Sequence, residues 1–479
     1  MRKSFALLLV ILLPTMLIAQ TNSIAQSQPL VLTHATVIDM TGAPPKSEMT
    51  VVVEGERIVE IGKTGRVKVP TTARIVDVTG KFLIPGLWDM HVHTLIGDRP
   101  NYFFSMFTAN GVTGVRDMGA SLTFEQIDQL RREVATGKLL GPRIFAAGRI
   151  LDGTGGLHPE ISVAADTPEQ GREFVRSFKQ QGADFLKVYD LLSREVYLSI
   201  VDEAKKQGIP FAGHVPFAVS AAEASDLGQK SIEHTTGIFI ASSRDEEVLR
   251  KELVEASRKV GTALGVRQRV EVKAIESNDA RKEAALFQRF ARNATWQCPT
   301  LTVRRSSILT DEKPLLADFR LKYIPLPDRQ RWRNIFKGRL ARADELEGIK
   351  KRYRRTLEIV GAMYRAKVGI LAGTDILNPY LYPGFSLHEE LELLVEAGLT
   401  PFAALQSATV NPAKFFAREK EFGTIEKGKL ADLVLLDANP LEKISNTKRI
   451  NAVVVNGRFL DRNALDKMLA QIEGTANKQ

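Results

Sequence analysis

Residues 86–93 read GLWDMHVH, a short apolar run that ends in polar groups. Seven later runs share this texture: GVTGVRDMG at 111–119, PRIFAAGRIL at 142–151, DFLKVYD at 184–190, IPFAGHVP at 209–216, KSIEHTTG at 230–237, TWQCPTLTV at 295–303 and VGILAGTD at 368–375. Charged, helix-like stretches separate them. Near-continuous apolar strands alternating with amphipathic helices imply a parallel sheet covered by helices, and eight such units are what a closed barrel needs. Residues 81–417 are therefore read as an α/β barrel. Within them, Ser386 to Glu389 has the spacing of a capping box, Leu387, Leu391, Leu394 and Val395 share one helix face, and Gly398 is placed to stop that helix.

The flanks read differently. LVLTHATVID (30–39), MTVVVEGERIVEIG (49–62) and ARIVDVTG (73–80) are rich in Val and Ile and punctuated by turn residues. The same pattern returns in ADLVLLDANP (431–440) and INAVVVNGRFL (450–460), where Asn456-Gly457 is a hairpin turn signal. One small β domain built from both termini is expected, with residues 26–80 as its first part and 418–479 as its second part and tail. Ahead of it, Arg2 and Lys3 precede an apolar run from Phe5 to Ile18 and small residues at Ser23 and Ala25. That is the order of a signal peptide over residues 1–25, cleaved after Ala25 or Ala19. The run is shorter than the roughly 20 residues of a spanning helix, and Pro14 interrupts it, so export to the periplasm or outside is expected without a stable membrane anchor.

With 44% hydrophobic and 25% charged residues, the 479-residue chain has the apolar content of a folded globular protein, which excludes disordered and collagen-like classes. The net charge of +10 is not spread evenly. Residues 304–367 hold 18 Lys or Arg against 8 Asp or Glu, so this helical insertion carries the whole excess. A nucleic-acid partner is not expected from so local a charge. The lone cysteine, Cys298, has no second thiol to pair with, so any metal must sit on histidine and carboxylate.

The polar residues that interrupt the eight runs carry the chemistry. His91 and His93 are two apart, so on a strand both rings point to one side. Lys187, His214, His234 and Asp375 each fall at or near the end of a predicted strand, where the catalytic groups of a barrel converge.

This ordered set of HxH, Lys, His, His and Asp, with IPGLWDMHVH before it and HEELELLVEAGLTPFAALQSATVNPAKFF after it, resembles the amidohydrolase superfamily, nearest to the branch of imidazolonepropionase and prolidase-like dipeptidases. The resemblance runs from about Thr33 to Leu460. It implies a distorted (β/α)8 TIM barrel with a small β-sandwich domain formed from both termini. It further implies that His91, His93 and Asp375 hold one divalent metal, that His214 and His234 hold the other, and that Lys187, carboxylated by carbon dioxide, bridges them. Zinc fits His and carboxylate ligands, and manganese or iron would accept them too. A lysine amine, with a pKa near 10.4, is a poor ligand while protonated, but its carbamate is an anionic two-oxygen bridge. Two such ions lower the pKa of bound water, and Asp375 can take the water's proton and pass it to the leaving nitrogen.

Further candidates are Tyr189, which shares a strand face with Lys187 and could polarise a carbonyl, and His158, in the loop LDGTGGLHPE, which could bind substrate. Arg116 is expected to ion-pair with Asp117 or Asp89, and His388 is read as structural. Tyr380 and Tyr382 follow Asp375 on a loop that could form a pocket wall. After His214 the chain continues Val215, Pro216, Phe217, where dipeptidase-like members are expected to carry an aromatic hydroxyl. The expected activity is metal-dependent hydrolysis of a C–N amide bond by a metal-held hydroxide, in a dipeptide or N-acyl amino acid. A cyclic amide and a catalytically silent binding homologue are the alternatives, and retention of the whole ligand set argues against the silent one. The expected partner is a small amide or peptide substrate, and a homo-oligomer is expected.

Overall fold

The computed structural model describes residues 28–476 apart from 258–262, 341–344 and 377. The expected signal peptide lies outside the described residues. The molecule is a mixed α/β protein.

Strands from both ends of the chain meet in one eight-stranded sheet. Its order is Arg458–Asp461, Ile450–Val455, Leu433–Leu436, Phe82–Pro85, Leu30–Val37, Lys46–Glu54 and Arg57–Lys63, with Arg74–Asp77 also pairing along Leu30–Val37. Leu32, Val51, Val53, Leu433 and Val454 build its own apolar core. Phe82–Pro85, just past the boundary expected at residue 80, also pairs within this sheet. The hairpin at Asn456-Gly457 forms as expected. Val455 pairs with Arg458, and both turn residues have positive φ (48° and 73°), the geometry that favours Asn-Gly. The C-terminal tail is a helix, Arg462–Ala476, packed on helix Pro100–Ala109.

The middle of the chain supplies two runs of parallel strands. One is Leu87–Val92, Val112–Asp117 and Arg143–Ala146. The other runs Ser162–Ala164, Ile150–Asp152, Leu186–Val188, Phe211–Gly213, Ser231–Glu233 and Trp296–Cys298. Every residue of Leu87–Val92 and Val112–Asp117 is buried, as strands covered on both faces must be. The eighth run, VGILAGTD, forms no regular strand. It joins its neighbours by single bonds instead: Gln297 N to Gly369 O (2.8 Å) and Leu371 N to Gln297 O (2.8 Å) on one side, and Met90 N to Ala372 O (2.9 Å) on the other.

The covering helices follow the sequence signals, with one exception. Helix Pro168–Gln181 starts at a capping box of Thr167 and Gln170 and ends at Gly182, whose φ of 96° few other residues tolerate. Ser386, by contrast, is not a cap. The helix begins earlier, at Phe385, and Ser386 Oγ accepts from Tyr382 N at 2.8 Å. Its expected partner Glu389 is held by Arg320 (2.8 Å) and Arg305 (3.0 Å), which removes the carboxylate from the box. Gly398 does lie just past the helix end, with φ of 105°. The basic insertion is helical over Leu301–Ser307, Glu312–Leu316, Leu326–Leu340 and Leu346–Arg365. Among the described residues no helix is long and apolar enough to cross a membrane.

Candidate metal centre

The six residues that interrupt the apolar runs come together at the C-terminal ends of the parallel strands. His91 lies within Leu87–Val92 and His93 just beyond it; Lys187 lies in Leu186–Val188; His214 and His234 directly follow Phe211–Gly213 and Ser231–Glu233. Asp375 closes the eighth run. Ring centroids are 4.5 Å apart for His91 and His234, 5.4 Å for His91 and His93, and 5.0 Å for His214 and His234. Asp375 Oδ1 is 3.5 Å from His91 Nε2 and 3.3 Å from His93 Nε2, while its Oδ2 is 3.8 Å from His234 Nε2. Asn378 Nδ2 donates to Asp375 Oδ2 at 2.9 Å and fixes the carboxylate.

Each imidazole is oriented through its other nitrogen. His91 Nδ1 meets Glu233 Oε2 at 2.7 Å, His93 Nδ1 meets Gly119 O at 3.1 Å, His214 Nδ1 meets Asp190 Oδ1 at 2.8 Å, and His234 Nδ1 meets Thr300 Oγ1 at 2.6 Å. All four Nε2 atoms are thereby left for the interior of the site. Such outer partners are what fix the tautomer of metal-binding histidines. Gly213 permits the arrangement, because a Cβ there would lie 2.2 Å from Val188 O and its φ is 137°.

Three of the inward atoms, His91 Nε2, Lys187 Nζ and His214 Nε2, are buried without a hydrogen-bond partner. Buried polar groups are rarely left so, because each forfeits its interaction with water. Burial pushes the Lys187 amine down to about 8, and it pushes His91 down to about 3 and His214 to about 4, so these two imidazoles are neutral near pH 7, whereas for His93 burial is outweighed by Asp375, which raises it. Burial also opposes ionisation of Asp375, but His91 and His93 outweigh it and hold the carboxyl below its usual range. The neutral imidazoles of His91 and His214, the Asp375 carboxylate and an amine with a lowered pKa are a donor set that fits divalent metal. Ligand atoms of His91, His234 and Asp375 lie within 4.8 Å of one another, so the two expected ligand groups meet at one centre. Glu233 and Cys298 also approach His91, but Arg116 and Ser231 occupy the carboxylate and burial pushes the thiol well up, so that second grouping does not fit.

Tyr189 stacks on His214 with centroids 3.9 Å apart, and His158 lies edge-on to Tyr189 at 6.0 Å with its side chain 46% exposed. Both therefore flank the site on its open side. Arg116 is corrected: its guanidinium pairs with Glu233 at 2.8 Å, not with Asp117 or Asp89. Asp117 instead accepts from the backbone of Thr94 and Leu95, and Asp89 from Thr374. His388 is structural as expected, buried between Asn110 O (3.1 Å) and Thr447 Oγ1 (3.0 Å). Tyr380 and Tyr382 are buried under Trp332 of the basic insertion, with centroids 5.6 Å away in both pairs. Pro216 and Phe217 line a cavity with Asp190 and Arg267 and bring no hydroxyl to it.

Sequence reading missed Glu233, Asp190, Thr300 and Arg267, which hold the ligands or their holders. Glu233 and Asp190 carried a usable signal, since each is an acid inside or at the end of an otherwise apolar run. Thr300 and Arg267 carried none.

Residues 338–460 match the amidohydrolase family. The imidazolonepropionase of Shouchella clausii (strain KSM-K16) is 37% identical over 93 residues, covering 19% of this chain and 21% of that protein. Adenine deaminase 1 of Desulfotalea psychrophila (strain LSv54 / DSM 12343) is 22% identical over 420 residues, 86% of this chain and 54% of that protein. The chain thus spans about a fifth to a half of the length of these curated relatives. Among solved structures, bottromycin amidohydrolase superposes with a TM-score of 0.72 at 23% identity, covering 93% of this chain and 90% of that one. A Xaa-Pro dipeptidase with bound methionine gives 0.64 at 23% identity, with 91% and 100% coverage. These likenesses are to the fold.

Proposed function

We propose that this chain, which belongs to the amidohydrolase superfamily, is a hydrolase that cleaves a C–N amide bond in a dipeptide or N-acyl amino acid. The observation that carries the reading is the trio of buried, unpartnered donors, His91 Nε2, Lys187 Nζ and His214 Nε2, facing Asp375. In this reading the parallel strands form a distorted (β/α)8 barrel beside a sandwich made from both termini, and the chain is exported. The bonds that join the eighth run to strands on both sides support barrel closure.

His91, His93 and Asp375 would hold one divalent ion and His214 and His234 a second, with Lys187 as a carbamate between them. Bound there, such ions supply Lewis acidity, making water nucleophilic near neutral pH and polarising the scissile carbonyl. The rest falls to the chain's own groups. Asp375 takes the proton of the attacking water and delivers it to the leaving nitrogen, as base and then acid. Asn378 keeps the carboxylate aimed during that exchange. Burial lowers the Lys187 pKa, which supplies the neutral amine that carbon dioxide requires. Tyr189 and His158, on the open side, would donate hydrogen bonds to the substrate carbonyl oxygen.

Metal analysis of purified protein joined to a hydrolysis screen over dipeptides, N-acyl amino acids and lactams tests the proposal. About two ions per chain with turnover of linear amides is expected. Full activity in metal-free protein would overturn it.

A further inference from the structure

Arg304 opens the basic insertion and stands on the helix Leu301–Ser307 that follows Thr300, the residue holding His234. Its Nη2 donates to the backbone oxygen of His234 at 2.6 Å. A guanidinium has five N–H donors. Among the described residues no carboxylate forms an ion pair with this one.

The neighbouring charges explain why. Three arginines, Arg267, Arg304 and Arg352, share this side of the site with two carboxylates, Asp190 and Glu271. Arg267 pairs with Asp190 at 2.9 Å and Arg352 Nε with Glu271 at 2.7 Å. Arg304 is the cation left over. Other basic residues of the insertion are occupied elsewhere: Arg305 and Arg320 by Glu389, Arg331 by Asp328, and Arg333 by Glu312. Glu271 lies near enough to act on Arg304 but is hydrogen-bonded to Arg352. The Arg304 side chain is only partly buried, and it lies near enough to Asp375 for their charges to interact.

We propose that Arg304 binds a carboxylate of the substrate, on the carbon attached to the leaving nitrogen. This rests on the amide-hydrolase reading and narrows it to amides with a free α-carboxylate, namely dipeptides and N-acyl amino acids. Such a carboxylate is within one residue of the scissile carbonyl, about 3.8 Å along the chain, so a cation beside a metal-ligand candidate is at the required range. The planar fork of arginine suits a carboxylate through two parallel hydrogen bonds. An internal peptide bond or a neutral amide leaves the cation unmatched.

The test compares N-acetyl alanine, leucine, phenylalanine and lysine with their carboxamides, on metal-loaded wild type, Arg304→Met and Arg304→Lys. The wild type should prefer the carboxylates, and Arg304→Met should lower kcat/KM for them roughly 30-fold or more while moving the carboxamides by less than about threefold. Arg304→Lys, which keeps the charge without the fork, should fall between. Calorimetric titration of the free amino acids and their amides gives the same comparison without turnover. Equal losses for both series, or no preference in the wild type, overturn the assignment and leave the hydrolase reading standing. If no amide is hydrolysed the hydrolase reading fails, and the titration still decides whether Arg304 binds carboxylate. Should Arg304→Met not fold, an unchanged carboxylate preference in Arg304→Lys counts against the proposal and a reduced one supports it.

Discussion

Glu233 Oε2 lies 2.7 Å from His91 Nδ1, with both side chains fully buried. Arg116 donates to both oxygens of the same carboxylate, at 2.9 and 2.8 Å, and anchors it against the strands. Burial opposes the Glu233 charge, but Arg116 first and His91 second hold the carboxyl well below its usual range. The acid sets the His91 tautomer, and through it would act on an ion held at the proposed site. Glu233→Gln should weaken metal affinity by about 10- to 100-fold. Competition with a chromogenic chelator measures this, and unchanged affinity would remove the role.

Asp375→Asn separates ligand from base. The amide cannot shuttle a proton, so turnover should fall on the order of 100-fold or more while substrate binding changes less. Steady-state kinetics with the best linear amide reads both, and unaltered turnover rejects the assignment.

Lys187→Ala should be inactive and regain part of its activity with acetate or formate, which replace a carbamate in size and charge. Full activity without additive would exclude a bridging role. Gly213→Ala probes the same corner by backbone, since the added carbon would lie 2.2 Å from Val188 O and 3.0 Å from Lys187 Cδ.

His388 gives a pH signature away from the metal ligands. Burial lowers its pKa from 6.5 to about 4. Above pH 6.5 the ring is neutral in both folded and unfolded chains, and its contribution to stability is fully present. As pH falls from 6.5 to about 4 only the unfolded chain takes up the proton, so stability is lost across that window, by up to about 3 kcal/mol. Denaturant titrations should show a flatter pH dependence for His388→Gln between those limits. Parallel curves would mean that the ring titrates normally.

What was legible in the sequence was the part written in periodicity and interruption. Eight apolar runs with polar ends placed His91, His93, Lys187, His214, His234 and Asp375 at one end of the parallel strands, since strand ends need no tertiary information to be located. The partners of those residues were not legible. Arg116 pairs with Glu233, 117 residues away, a contact that depends on which strands become neighbours. The capping box at Ser386 failed for a related reason. Its spacing is local, but Glu389 is claimed by Arg305 and Arg320 from the insertion. Local rules hold until a distant charge outbids them.

The excess positive charge of the basic insertion would steer anionic substrates only if cations such as Arg331 and Arg333 stood unpaired. The structure gives each an acid: Arg331 lies 3.6 Å from Asp328 and Arg333 3.1 Å from Glu312. Between them Trp332 is buried against Tyr380 and Tyr382, so this helix meets the loop after Asp375 through its apolar face while the two arginines pair on its flanks. Paired, half-exposed cations project little field beyond the Debye length of about 10 Å at 0.1 M salt. Charge reversal at Arg331 and Arg333 should therefore leave the salt dependence of kcat/KM for a carboxylate substrate nearly unchanged, whereas Arg304→Met should flatten it. The measurement is kcat/KM from low to moderate salt for an N-acyl amino acid and its carboxamide. If reversal at Arg331 and Arg333 flattens the response, long-range steering by the insertion carries the effect. If Trp332→Ala lowers turnover for both substrates alike, the insertion acts by packing the wall that Tyr380 and Tyr382 form.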